Sequence, residues 1–381
     1  MFQKKGSEMR NFLIFFLLFS FFYHLNSQTI SKDNLIIDMK KEIVFGQSGS
    51  FSGHFAFYGN TIKNAINSYF EHINQQGGIA GKKLRLISLD DEGEADKTKN
   101  NIELLYHKYA VSMFFGVMGT RGILSVLPLI QQQKIAMLFP WGGHPELKNP
   151  SLSHIINGPG LLEPQVETLA DHIVKTLSLT KIAIFHADDD FSTAATHVLA
   201  KALESLNQKP VAIEQYNRYT IDIHTPAQKL LAQDPRVVIC VATSTPTIKL
   251  INYFFEQGSF TTKFFGIDST FLAQDILQHK GVAFHVASPV PDPVTSTFQL
   301  ATEYHRDITN YFPDEDFSIL SFTYYIAAQL IVDALNKTAP DCSQEALLKE
   351  LSNIKNKDFK GLSIDFDPTN RHLFGKKIWI I

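Results

Sequence analysis

Thr120 and the pair Gly142–Gly143 are the residues from which chemistry can first be read. The stretch Phe114–His144 runs FFGVMGTRGILSVLPLIQQQKIAMLFPWGGH. Its apolar start, ending in Val117, reads as a buried strand, and Met118–Gly119–Thr120 reads as a sharp turn. Thr120 then stands at an N-cap position ahead of the apolar-periodic residues Ile123, Val126, Leu127 and Ile130. A second short strand, Ile135–Phe139, ends in Pro140–Trp141–Gly142–Gly143. Two strand ends therefore open side by side into small-residue loops, one of them at the positive end of a helix. Open α/β sheets hold anionic small molecules in that arrangement. Two ordinary βα turns without a ligand would give the same pattern.

Other reactive residue types do not assemble into a catalytic or metal pattern. Gly77–Gly81–Lys82 lacks the spacing of a phosphate loop and lies between a helix and a strand, the reverse of the order such a loop needs. Asp188, Asp189 and Asp190 follow a strand, but three consecutive carboxylates cannot all converge on one ion, which favours a solvated turn. Gly46–Gln47–Ser48–Gly49–Ser50 has serine where a nucleophile elbow needs its second glycine. The 14 histidines include no HExxH. The expectation is a chain with no catalytic residues, no metal and no cofactor.

The 381 residues are 44% hydrophobic and 19% charged, a globular balance in a chain long enough for two domains. A formal charge of −3 supplies no basic field for nucleic acid. Two cysteines, Cys240 and Cys342, make neither a disulfide framework nor a thiolate cluster. At the N-terminus, Lys4, Lys5 and Arg10 precede the almost wholly apolar Asn11–Tyr23, short for a membrane span and suited to a signal-peptide core. Residues 1–27 are therefore expected to be removed, taking the net charge from −3 to about −5. An uncleaved anchor is the alternative. No cysteine stands near the cleavage point to take a lipid. The expected product is soluble and exported to the periplasm.

Behind a polar spacer, 28–41, the chain alternates strand and helix. Expected strands include Ile43–Gly46, Leu84–Leu89, Lys181–His186, Val211–Tyr216, Val237–Ala242, Phe264–Ile267 and Val282–Ala287. Helices are expected near 59–75, 95–109, 165–177, 192–206, 246–257, 271–278, 295–311, 318–337 and 343–354, with Thr225–Pro226 opening another as N-cap and first residue. Gly77–Gly78 ends the first of them as a left-handed cap. Such alternation predicts mostly parallel sheets with helices on both faces. Pro289–Pro293, PVPDP, is the clearest linker, and strand-like pieces follow at 361–366 and 372–380.

An ordered set of segments now carries a resemblance: IVFGQSGSFSG, Tyr58–Gly59, YFEHINQQGGIAGKKLRLISLDDEG, FFGVMGT, LFPWGGHPEL, KIAIFHADDDFS and FFGID. Together, behind a signal peptide and collinear over about 43–380, they resemble the periplasmic solute-binding proteins of the leucine/isoleucine/valine-binding type, the receptors of ABC importers. The resemblance implies an α/β fold of two doubly wound, mostly parallel lobes joined by three crossovers (the type I periplasmic-binding-protein fold), closing on ligand like a hinged trap. By that analogy lobe 1 is 42–160 plus 291–360 and lobe 2 is 161–290 plus 361–381, with PVPDP as one hinge strand.

Carried over residue by residue, the resemblance implies a binding site. Thr120, with Met118 and Gly119 beside it in the turn, falls where a hydroxyl binds the ligand carboxylate. The backbone of Trp141, Gly142 and Gly143 lies at the second carboxylate or ammonium contact. Tyr58 falls on a first-lobe aromatic wall, Phe191 at a second-lobe position that is often tyrosine, and Thr243 and Ser244 in the next second-lobe loop. Asp268 falls where an acidic side chain pairs the ligand ammonium, and as a plain helix N-cap it would look the same. Two departures stand out. Amino-acid binders of this type carry Thr or Ser where Gly143 stands and a small residue where Trp141 stands, which argues against the usual aliphatic amino acid. The disulfide of some first lobes is missing, and Cys240 and Cys342 fall in different lobes, so both are expected free.

The implied function is a non-enzymatic receptor, a monomer, that captures an amino acid or related small amide or carboxylate and hands it to an ABC permease. A sensory receptor of the same fold, acting in regulation as the amide sensors do, is the alternative, and the export signal favours transport.

Overall fold

A computed structural model describes residues 37–158, 162–270, 282–375 and 377–381. The signal segment, most of the spacer and the helix expected at 271–278 lie outside the described residues. The chain begins with strand β1 (Glu42–Gly49), buried after its first residue, then helix α1 (Ala56–Gln75) and strand β2 (Lys83–Asp90). Helix α2 (Ala95–Glu103), which widens into a π-helical turn at Leu104–Lys108, leads to β3 (Met113–Phe115). Helix α3 (Thr120–Gln133), β4 (Ala136–Leu138) and β5 (Ile155–Ile156) follow. The five strands form a wholly parallel sheet in the order β2-β1-β3-β4-β5.

The pattern repeats in a second sheet. Helix α4 (Leu162–Asp171) precedes β6 (Ile182–Ala187), α5 (Asp190–Ser205), β7 (Ala212–Tyr216), α6 (His224–Leu231) and β8 (Val237–Val241). Helix α7 (Ser244–Glu256), β9 (Lys263–Ile267) and β10 (Phe284–Ser288) complete the parallel part. The expected cap at Thr225–Pro226 is displaced. Helix α6 starts at His224 with Ile223 as its cap, and His224 N–H donates to Asp222 Oδ1 at 3.1 Å, so the aspartate turn sets the start two residues early.

After PVPDP the chain returns to the first sheet as α8 (Gln299–Tyr311), α9 (Ile319–Thr338) and α10 (Gln344–Ser352). Helix α9 is long and apolar enough to cross a membrane by composition, yet 89% of its most apolar window is buried in the protein. It is a core helix: Tyr324 lies 6.2 Å from Phe115 ring to ring, and its hydroxyl donates to the Phe139 carbonyl at 3.0 Å. Strands β11 (Lys357–Phe359), β12 (Leu362–Asp367) and β13 (His372–Phe374) make a small antiparallel sheet. Strand β14 (Trp379–Ile380) adds to β10 antiparallel, at the edge of the order β14-β10-β9-β8-β6-β7.

The chain therefore passes between the two sheets three times: after Asn157, through PVPDP, and between Phe374 and Trp379. The first and third passages run side by side, with Asn157 N donating to Arg371 O at 2.7 Å and Leu373 N to Asn157 O at 3.0 Å. The resemblance puts residues 361–381 with the second lobe. Within that range Arg371 donates to the carbonyls of Ile155 and Ser153, so this part of it packs beside the first sheet.

Candidate functional site

In both sheets the strand order reverses near the centre while the strands stay parallel, between β1 and β3 in the first and between β6 and β8 in the second. The C-terminal ends at those two points face one cavity of about 140 Å³. Eight of the eleven expected residues line it: Met118, Gly119, Thr120, Trp141, Gly142, Gly143, Phe191 and Thr243. Tyr58 and Ser244 lie buried beside it, bonded to each other. The side chain of Asp268 is outside the described residues, although its backbone opens a short 3-10 turn after β9, next to the cavity-lining Ser269.

Thr120 is the first residue of α3 and not its cap. Gly119 takes the cap position with φ +95°, a turn that L side chains resist, and this delivers Thr120 into the cavity. Thr120 Oγ1 accepts from Gly143 N at 3.4 Å, which joins the two loops and leaves the hydroxyl proton free to donate. The turns are fixed from behind: Met118 N donates to Ser48 O at 2.9 Å, Gly119 N to Trp141 O at 3.0 Å and Trp141 N to Val117 O at 2.8 Å. Below them Asp91, fully buried, accepts from Ser48 Oγ at 2.8 Å, Thr98 Oγ1 at 2.9 Å and Gly93 N at 2.9 Å. Burial pushes its carboxyl up from the ordinary value in spite of those bonds.

Four contacts join the two sides of the cleft. The Tyr58 hydroxyl accepts from Ser244 N at 3.1 Å, stands 3.3 Å from Ser244 Oγ and reaches Ser269 O at 3.4 Å. Its ring stacks on Trp141 with centroids 5.4 Å apart, and burial raises the phenol's pKa. Arg121 Nε donates to Asp190 Oδ2 at 2.9 Å. The Arg218 guanidinium lies over Phe55, 4.8 Å from its centroid. Phe191 packs against Gly143 so closely that a Cβ there would stand 2.6 Å from the ring, which gives the missing side chain a steric reason.

Arg121, Asp189, Asp190 and Arg218 are cavity residues that the sequence reading did not assign. Part of a signal existed in the Asp188–Asp190 run. Asp189 caps α5 by accepting from Ser192 N at 2.7 Å, and Asp188 accepts from Arg218 N at 2.9 Å. Arg218 has no local signal, because Phe55 is brought to it only by the fold.

Residues 42–380 match the family model described as periplasmic binding protein. The chain belongs to that family. Among curated relatives, this periplasmic binding protein is 23% identical over 227 residues to an amino acid binding protein of Pseudomonas aeruginosa, covering 60% of each chain. It covers 39% of a Leu/Ile/Val-binding protein homolog of Brucella melitensis, so the match spans less than two thirds of these relatives. A possible leucine/isoleucine/valine-binding protein from Rhodopirellula baltica superposes with a TM-score of 0.81 at 22% identity, over 91% of this chain and 95% of that one. A branched-chain amino acid transporter substrate binding protein from Streptococcus pneumoniae, solved with isoleucine, gives 0.77 at 15% identity, over 90% and 96%. The fold is the type I periplasmic-binding-protein fold.

Proposed function

We propose that this chain is the extracytoplasmic receptor of an ABC importer, which closes two lobes on an amino acid or a related small amide or carboxylate and presents it to a permease. The observation that carries this reading is one cavity lined from the switch points of two mostly parallel sheets that share three passages of chain. Lobe 1 is then 42–158 with about 291–374, and lobe 2 is 162–290 with 379–381. The reading includes removal of residues 1–27, a soluble monomer in the periplasm, and no catalysis. Thr120 and the amides at the head of α3 take a carboxylate, and Asp268 takes an ammonium.

A thermal-shift screen of amino acids, amides and small organic acids tests it, since a ligand at ~100 times its dissociation constant adds about 2.7 kcal/mol. Calorimetry with a hit then follows on two variants. A hydrogen bond to a charged group is worth ~1.5–3 kcal/mol, roughly 10- to 150-fold in affinity. Thr120→Val should weaken every carboxylate by that order. Asp268→Asn should weaken an amino acid far more than a simple carboxylate, and unchanged amino-acid affinity would reduce Asp268 to a helix cap.

A further inference from the structure

We propose that Arg218 determines specificity in the cleft and selects a ligand with a second acidic group, which, on the reading just given, is an acidic amino acid. The residue follows β7 on the second-sheet side and lines the same cavity as Thr120, which comes from the first. Its guanidinium is held between aromatic faces, 4.8 Å from the Phe55 centroid and 5.3 Å from that of Tyr219. Its main chain is tied down by Asp188.

The protein meets the charge so positioned only in part, through an ion pair with Asp189. Asp189 Oδ2 stands 3.7 Å from Arg218 Nη1, beyond hydrogen-bond reach, while Asp189 Oδ1 is engaged by Ser192 N. Arg218 Nε is buried and donates to no described group. Arg121, the other cavity arginine, differs: its Nε donates to Asp190 at 2.9 Å. A buried guanidinium donor without an acceptor is costly, and a planar carboxylate is the group that matches its fork. A ligand whose α-carboxylate sits at Thr120 would then place its side-chain carboxylate at Arg218. The neutral amide of the same shape would satisfy the donor with a weaker, uncharged acceptor.

Calorimetry with leucine, glutamine and glutamate on the parent, Arg218→Gln and Arg218→Lys decides this. The parent should bind glutamate at least ~10-fold tighter than glutamine, and Arg218→Gln should bring that ratio close to one. Arg218→Lys keeps the charge without the fork and should give a smaller ratio than the parent, which preserves the test if Arg218→Gln does not fold. A parent that prefers leucine or glutamine overturns the inference and leaves the receptor reading standing, as does a glutamate preference that survives in both variants. If none of the three amino acids binds, the amino-acid reading itself falls and the inference with it.

Discussion

Tyr58 shows how one side chain can serve both the fold and the cleft. It belongs to α1, yet its hydroxyl meets Ser244 N at the head of α7 and the Ser269 carbonyl after β9. These bonds exist only when the two sides are together, so they weigh on closure and not on the folding of either side. A neutral hydrogen bond contributes ~0.5–1.5 kcal/mol net, and Tyr58→Phe should therefore weaken a bound amino acid roughly 2- to 10-fold by calorimetry. Unchanged affinity would show that the bonds play no part in closure. The place of Thr120 was legible because strand, turn and helix are consecutive there. Its exact helix position was not, since Gly119 and Thr120 are both good cap residues and only the positive φ of Gly119 decides between them. Asp91 and Arg218 were illegible for another reason: their partners Ser48 and Phe55 lie far away in sequence.

Among the elements, α2 and α3 approach closely behind the site. A Cβ on Gly122 would come within 2.4 Å of Thr98 Oγ1 and 3.0 Å of Thr98 Cβ. Thr98 cannot swing aside without releasing its bond to buried Asp91. Gly122→Ala should accordingly cost ~1–3 kcal/mol of stability, read from the denaturation midpoint in urea. A midpoint equal to the parent's would contradict the close approach of the two helices. Central strands were readable as buried apolar runs, and β6, β8 and β9 fall within a residue or so of their expected limits. The short strand β11 escaped notice because Lys357–Phe359 has two polar residues in three and draws its definition from pairing with β12.

For the whole molecule, the cleft contacts describe a closed arrangement, with Tyr58 on Ser244, Arg121 on Asp190 and Phe191 on Gly143. The Arg121–Asp190 pair is about half exposed on each side and so adds little by itself. Three chain passages, two of them hydrogen-bonded together, permit a bend there while the sheets stay intact. Small-angle scattering should give a smaller radius of gyration with a saturating ligand, and an identical profile would mean a rigid cleft. The threefold passage has another consequence, one that concerns the order in which the protein is made. The last strand of the first sheet ends at Ile156, but α9, which covers that sheet through Tyr324, begins only at Ile319. A ribosome must therefore add more than a hundred and fifty residues after that strand before α9 can complete the cover that α1 begins, so the first sheet is finished late in synthesis.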